Sequence, residues 1–416
     1  MTRAFRLSAL VVLLASPTMP GAIQAASAAD QVQPGADSQL GLQAVPPPAP
    51  APTWRREAAR ELLLYVEAIG QEGLSPAAYS PDRLRAAIEG GNEAQINSVA
   101  GPIFMQLAAD LSGGSVRGRS RVDWHMTHSG LDAAGQQRLM AQVLRGNGGV
   151  GAALDALLPT HVQYAGLKRA LANTPADDAA RRDLIRTNME RWRWMPRSLG
   201  ARHVLVNVPA FTAALIDNGA VTTRHRTVVG ARRTPTPQLN ATITAVTMNP
   251  WWHVPQSIIR ENGGRFGAGY EVTRSAGGGM TVRQQPGPRN ALGRLKIEMQ
   301  NDHAIYLHDT PSQALFGRPV RAFSHGCIRT QNVRDFAALL LRPTGEWDRA
   351  AIDRTIAGGS TERVNLAQPV PVYIAYFTAA ATNDGEIVRY ADIYGRDAPV
   401  RQALARADSR VQQASN

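Results

Sequence analysis

The stretch His203-Val-Leu-Val-Asn-Val208, then Ala213-Ala-Leu-Ile216, Asp217-Asn-Gly219 and Thr222-Thr-Arg-His-Arg-Thr-Val-Val229, decides the fold class. Short runs of β-branched and apolar residues with partial alternation read as strands. Asn-Gly between two such runs reads as a tight hairpin turn. Similar runs follow at Ile243 to Met248, Leu295 to Met299 and Ala304 to Leu307, and Pro371 to Phe377 reads as a closing strand. A β-dominated domain is therefore expected over residues 196–397. Two stretches inside it carry helical spacing, Val333 to Leu341 and Trp347 to Ile356. Gly263 to Gly279, rich in Gly and Arg, reads as a loop or flap.

Working upstream, Leu184 to Trp194 reads as a helix stopped by Pro196. Trp54 to Ile69, Leu84 to Leu111 and Gly130 to Leu158 keep helical periodicity between Gly- and Ser-containing breaks. Residues 54–195 are thus expected to be a mainly helical domain, and the whole chain α+β. Residues 29–53 are rich in Pro, Ala and Gln and read as a disordered linker. Residues 1–28 read as a signal peptide: Arg3 and Arg6 precede the apolar run Leu7 to Ala15, and Ala26-Ser-Ala28 offers a cleavage site. An uncleaved membrane anchor is the alternative, and no other stretch approaches the roughly 20 apolar residues of a spanning helix. Residues 398–416 read as a C-terminal tail.

The formal charge is +12 over 416 residues. Its arginines are scattered, with no basic run interleaved with aromatics, so nucleic acid is not expected as a partner. An exported basic chain more plausibly meets an anionic polymer or membrane surface. Trp124, His125 and His128 lack acidic or cysteine companions at ligand spacing, so no metal or other cofactor is expected.

Cysteine usage is sharper. The chain has a single Cys, at 327, and exported proteins usually carry paired cysteines or none. A working thiol is expected rather than a small buried hydrophobe. Its surroundings are Ile305-Tyr-Leu-His-Asp-Thr-Pro311 and Arg321-Ala-Phe-Ser-His-Gly-Cys-Ile-Arg329. A thiol must lose its proton to attack a carbonyl, and imidazole is the usual base. His325, two residues before Cys327, shares the thiol's face in extended backbone. His308 reaches the sulfur only if the fold returns the chain beside itself. Gly326 permits a turn closed to other residues, which would aim the amides of Gly326 and Cys327 at an oxyanion. Arg329 is a candidate for lowering the thiol pKa or for binding a substrate carboxylate, or equally for a fold-stabilising ion pair.

Ser324-His-Gly-Cys327 with Ile328-Arg329, preceded by His308-Asp-Thr-Pro311, resembles the signature of L,D-transpeptidases with a YkuD-type catalytic domain. The resemblance extends to the long, YcbB-like branch. It includes Arg191-Trp-Arg-Trp-Met-Pro196, Val206-Asn-Val-Pro-Ala-Phe211, Asn249-Pro-Trp-Trp-His-Val-Pro255, Pro286-Gly-Pro-Arg-Asn-Ala-Leu-Gly293 and Asp392-Ile-Tyr-Gly-Arg-Asp397. It covers residues 185–397 well and the helical part more loosely. The interval 158–186 is too short for the peptidoglycan-binding module common on that branch.

The resemblance implies a β-sandwich-like catalytic domain with a capping loop at 258–283. It implies Cys327 as nucleophile, His308 as base, Asp309 as the backbone carbonyl orienting it, and His325 and Gly326 as support. Tyr306, Trp252, Asn290, Phe323, Ser324 and Arg329 would face substrate. It implies a periplasmic enzyme that acylates Cys327 with a peptide stem of peptidoglycan and passes the acyl group to a second stem. Carbapenem-type β-lactams are implied as covalent inhibitors. Hydrolysis of the same thioester, as in an L,D-carboxypeptidase, and a catalytically dead wall-binding scaffold are the competing readings. Thiol peptidases whose base follows the nucleophile are excluded, because no His follows Cys327.

Overall fold

Side-chain caps set several helix starts. Asn92 Oδ1 accepts from the N–H groups of Ala94 and Gln95, and Asp132, Asp178 and Asp348 cap three further helices. The computed structural model describes residues 52–126, 130–382 and 384–409. The expected signal segment and nearly all of the linker lie outside these, as does His128. The helical part comprises α1 (Arg56–Ala68), α2 (Pro81–Gly90), α3 (Glu93–Gly113), α4 (Ala133–Leu144), α5 (Val150–Asp155), α6 (Val162–Ala172) and α7 (Ala179–Trp194). Leu62, Val66, Leu84, Phe104, Leu107 and Leu154, from the first five, close a core of their own. Among the described residues no helix is long and apolar enough to cross a membrane.

The strand-rich part begins with β1 (Arg202–Asn207), β2 (Thr212–Asp217), β3 (Ala220–Gly230) and β4 (Leu239–Met248). Asn218 and Gly219 both take positive φ, 48° and 81°, the geometry that matches a hairpin turn to strand twist. After β5 (Trp252–His253) come α8 (Gln256–Glu261), β6 (Tyr270–Arg274) and β7 (Met280–Gln284). Then follow β8 (Leu295–Gln300), β9 (Leu307–His308), β10 (Ala322–Ser324), β11 (Ile328–Thr330), α9 (Val333–Leu341) and α10 (Arg349–Gly358). The chain ends with β12 (Glu362–Ala375), β13 (Ala379–Ala381), β14 (Ile387–Arg389) and α11 (Asp397–Ser409).

The main sheet runs β10-β3-β11-β9-β8-β4-β12-β1-β2, and β2 also pairs with β3. The sandwich-like layering is therefore one sheet wrapped until it meets itself. Inward residues such as Val204, Leu215, Val246, Ile297 and Ile374 pack with Phe336, Leu340 and Ile352 from α9 and α10.

Three expectations change in detail. Ala304 takes a positive φ of 53°, so the strand expected at 304–307 narrows to β9. The segment 258–283 is a folded flap: β6 and β7 form a hairpin that β5 joins, with Val254, Ile259 and Val282 as a small core. Residues 398–409 belong to α11 rather than a loose tail, and Val400 and Leu404 bury against Trp194 and Val116.

Candidate active site

Two short strands meet at the thiol. β11 pairs in parallel with β9, Ile328 opposite Leu307 and Arg329 opposite His308. Carried one residue back, the register sets Cys327 beside Tyr306, and the Ile328 N–H donates to the Tyr306 carbonyl at 3.0 Å. Side chains alternate across a sheet. Leu307 and Ile328 are therefore driven into the core, where both are fully buried, while Tyr306, His308, Cys327 and Arg329 share the other face. Strand spacing and rise place the Cα atoms of His308 and Cys327 about 8 Å apart on the diagonal. β8 lies on the far side of β9 with Lys296 opposite His308, and its ammonium sits 4.6 Å above the Tyr306 ring. The intervening loop thus closes a gap of 19 residues.

Burial governs the electrostatics. It pushes His308 down to about 3, with the Arg329 and Lys296 charges acting in the same direction, so the imidazole is neutral at physiological pH. Backbone acceptors of Asp309 and Leu292 pull the other way. Nδ1 has no hydrogen-bond partner among the described residues. The Cys327 thiol is raised by burial, opposed by hydrogen bonds from Tyr306 and by the Lys296 and Arg329 charges. The residue remains partly open to solvent, and Sγ lies 3.6 Å from the Ala304 carbonyl. Arg329 takes part in no ion pair among the described residues, its Nε has no partner, and burial lowers its pKa. The fold-stabilising ion pair considered for Arg329 is thus absent among the described residues.

The turn before Cys327 has its own scaffolding. Gly326 sits at φ +115°, where a Cβ would also meet Ile305 Cδ1 at 3.2 Å. Its carbonyl accepts from Thr236 Oγ1 at 2.7 Å. Ser324 Oγ donates to the Cys327 carbonyl at 2.5 Å and accepts from the Gly326 N–H at 3.1 Å. This corrects two expectations. Ser324 has its hydroxyl engaged within the turn, and the Gly326 amide is committed to it, which leaves the Cys327 N–H as the uncommitted amide of the two.

Asn290 is also structural. It is buried, and its Nδ2 donates to the carbonyls of Pro250 and Gln285 while Oδ1 accepts from the Leu292 N–H. His325 faces the flap: its Nε2 lies 2.8 Å from Glu261 Oε2 at the end of α8. Trp252 opposes the burial that raises the Tyr306 hydroxyl, Phe323 stands 46% exposed on β10, and the Asp309 carboxylate accepts from the Arg294 N–H. Lys296 escaped the sequence reading because a Lys in an alternating strand looks like an ordinary solvent-facing residue. Only the register with β9 brings it to His308. Among the described residues no group of His, Cys, Asp and Glu is placed to hold a metal ion.

Residues 201–372 match the YkuD L,D-transpeptidase catalytic domain, and residues 49–171 match a family described as a scaffold domain. The chain carries a YkuD-family L,D-transpeptidase catalytic domain. The Cys327 turn, β9 and β11 all fall within it. A putative L,D-transpeptidase of Haemophilus influenzae is 29% identical over 225 residues, covering 48% of this chain and 45% of the relative. The chain thus spans about half the length of the curated relative it matches. Among solved structures, an L,D-transpeptidase from Mycobacterium smegmatis aligns with 42% of this chain and 58% of its own at 16% identity and a TM-score of 0.23. L,D-transpeptidase 3 from Mycobacterium tuberculosis, in complex with a faropenem-derived adduct, covers 42% and 60% at 14% identity and a TM-score of 0.24.

Proposed function

We propose that the protein is an exported peptidoglycan L,D-transpeptidase working through a Cys327 thioester in the periplasm. The observation that carries the reading is the pairing of β9 with β11, which sets a neutral imidazole and the chain's only thiol on one face beside an unpaired guanidinium. His308 takes the thiol proton as Sγ attacks the carbonyl carbon of the stem's third residue. The Cys327 N–H stabilises the oxyanion. Collapse breaks the C–N bond, and the terminal D-alanine leaves as an amine after receiving that proton from His308. An amine of a second stem then attacks the thioester carbonyl and passes its proton through His308 as the sulfur departs. Arg329 supplies a two-pronged contact for a substrate carboxylate. Trp252 and Tyr306 wall the thiol, and the flap encloses the bound stem. A strained β-lactam carbonyl of the carbapenem type presents the same electrophile to the same sulfur.

The test incubates the protein with a purified tetrapeptide-stem fragment and weighs the products. Cross-linked dimer supports transpeptidation, and tripeptide alone identifies a hydrolase on the same thioester. Cys327→Ala removes both products and any carbapenem adduct. An adduct that persists without the thiol overturns the assignment.

A further inference from the structure

In the sheet His308 stands between two cations, with Lys296 of β8 opposite it on one side and Arg329 of β11 on the other. Leu295 and Ile297, the neighbours of Lys296 along β8, are fully buried in the core. Strand alternation therefore turns Lys296 onto the face that carries Tyr306, His308, Cys327 and Arg329. An ordinary lysine on a sheet face runs its stem out to water or meets a carboxylate. Lys296 does neither. It is half-buried, and its ammonium lies 4.6 Å from the centroid of the Tyr306 ring, a cation–π contact. The acid two residues along the strand, Glu298, is engaged elsewhere: Oε1 accepts from Thr247 Oγ1 at 2.6 Å, and Oε2 meets Arg363 at 2.8 Å. Among the described residues Lys296 takes part in no ion pair.

The ring that Lys296 touches belongs to the site. Tyr306 lies beside Cys327 in the register of β9 and β11, and its ring meets that of His308 edge-on, with centroids 5.6 Å apart. A charge seated on that ring is tied to the residue next to the thiol, where burial weakens screening. Burial raises the Cys327 thiol, and the Lys296 charge is among those that oppose the rise. The other titratable or charged groups on this face are Tyr306, His308 and Arg329. His325 on the turn is engaged with Glu261 of α8, and the Asp309 carboxylate with the Arg294 N–H.

We propose that Lys296 is a positioning residue of the Cys327 site: its ammonium, fixed over the Tyr306 ring, supplies the positive charge that lets the buried sulfur become an anion as it attacks. The proposal rests on the reading of Cys327 as nucleophile and not on which polymer it acts on. Lys296 exchanges no proton in the step. The thiol proton passes to His308, the S–C bond forms, and the lysine charge offsets the negative charge that burial would otherwise penalise.

Iodoacetamide is neutral and carries no peptide, so it reads this charge at the sulfur itself. Below the thiol pKa its rate follows the thiolate fraction, and a thiol about one pH unit less acidic reacts about tenfold more slowly. At pH 8 the full chain carrying Lys296→Met is expected to alkylate about five- to tenfold more slowly than the unaltered protein. Lys296→Arg keeps the charge and should stay within about twofold of it. Carbapenem acylation should fall by a similar factor in Lys296→Met and recover in Lys296→Arg. A lost packing contact would instead open the site and speed alkylation. Unchanged or faster alkylation in Lys296→Met, or an equal slowing in Lys296→Arg, overturns the proposal. The tetrapeptide assay stands apart: slowed alkylation without any cross-linked product would sink the transpeptidase reading and leave the role of Lys296 standing.

Discussion

Gly326 adopts a backbone conformation that a side chain disfavours, and the cost of placing one there is about 1–3 kcal/mol. Gly326→Ala adds a Cβ at φ +115° against Ile305. It is expected to lower carbapenem acylation at least tenfold while far-UV circular dichroism stays native. The thiol and imidazole beside it are both held neutral by burial, Cys327 raised and His308 lowered to about 3. Alkylation of Cys327 by iodoacetamide should therefore climb with pH up to and beyond 9. A plateau already reached below pH 7 would reveal a thiolate–imidazolium pair and contradict the neutral one. His308→Gln keeps a polar side chain but no base near neutrality, and should reduce acylation by about 10²–10⁴-fold, read as the rate of adduct formation by mass spectrometry.

The C-terminal turns of α7 carry the residues that join helices to sheet. Arg191 bonds Asp397 Oδ1 at 2.6 Å. Arg193 and Glu190 form a fully buried ion pair at 2.9 Å, and Glu190 Oε1 also accepts from the Trp194 indole and the Val116 N–H. Removing one partner strands a buried charge, which typically costs about 3–5 kcal/mol. Glu190→Ala should lower stability by that amount, measured by urea denaturation, whereas Asp82→Ala on the exposed Arg85 pair should leave it essentially unchanged. The flap behaves as an element too: α8 touches the catalytic turn through Glu261 and His325. Glu261→Gln removes the ionic part of that contact. Hydrogen exchange should then quicken over residues 256–284 and stay unchanged in β4 and β12.

Among the described residues burial lowers four histidines, His161 to about 4, His308 to about 3, and His203 and His225 by smaller shifts. Each is neutral when folded and takes up a proton more readily when unfolded. Their contribution is complete above their unfolded pKa near 6.5 and is lost as pH falls toward the folded values. Asp110, raised to about 6 chiefly by burial, acts in the opposite sense. With four groups against one, the melting temperature should fall between pH 6.5 and pH 4; a rise over that interval would contradict the buried neutral histidines. α11 packs the C-terminal end of the described chain onto the helical part. Arg186 pairs with Asp408 at 2.8 Å, and Val400 and Leu404 cover Trp194. Deleting residues 398–416 should lower the melting temperature by exposing that indole, visible as a red shift in its fluorescence.

Local sequence determined the turns, the caps and the chemistry. Asn218-Gly219 can make only a few turns, Asn92 and Asp178 offer their oxygens to the next few amides, and a lone cysteine after His-Gly announces itself without any fold. Tertiary structure decided which residues stand together. Lys296, His308 and Arg329 lie on three different strands, and their meeting follows from the register of β8, β9 and β11, which depends on burying Leu295, Leu307 and Ile328 on the opposite face. Ser324 and Asn290 sit in the same motifs as the thiol and the flap, and nothing in those motifs distinguishes a side chain that meets substrate from one that holds a turn. That distinction depends on where each polar atom finds its hydrogen-bond partner, which is set by chain segments up to 40 residues away.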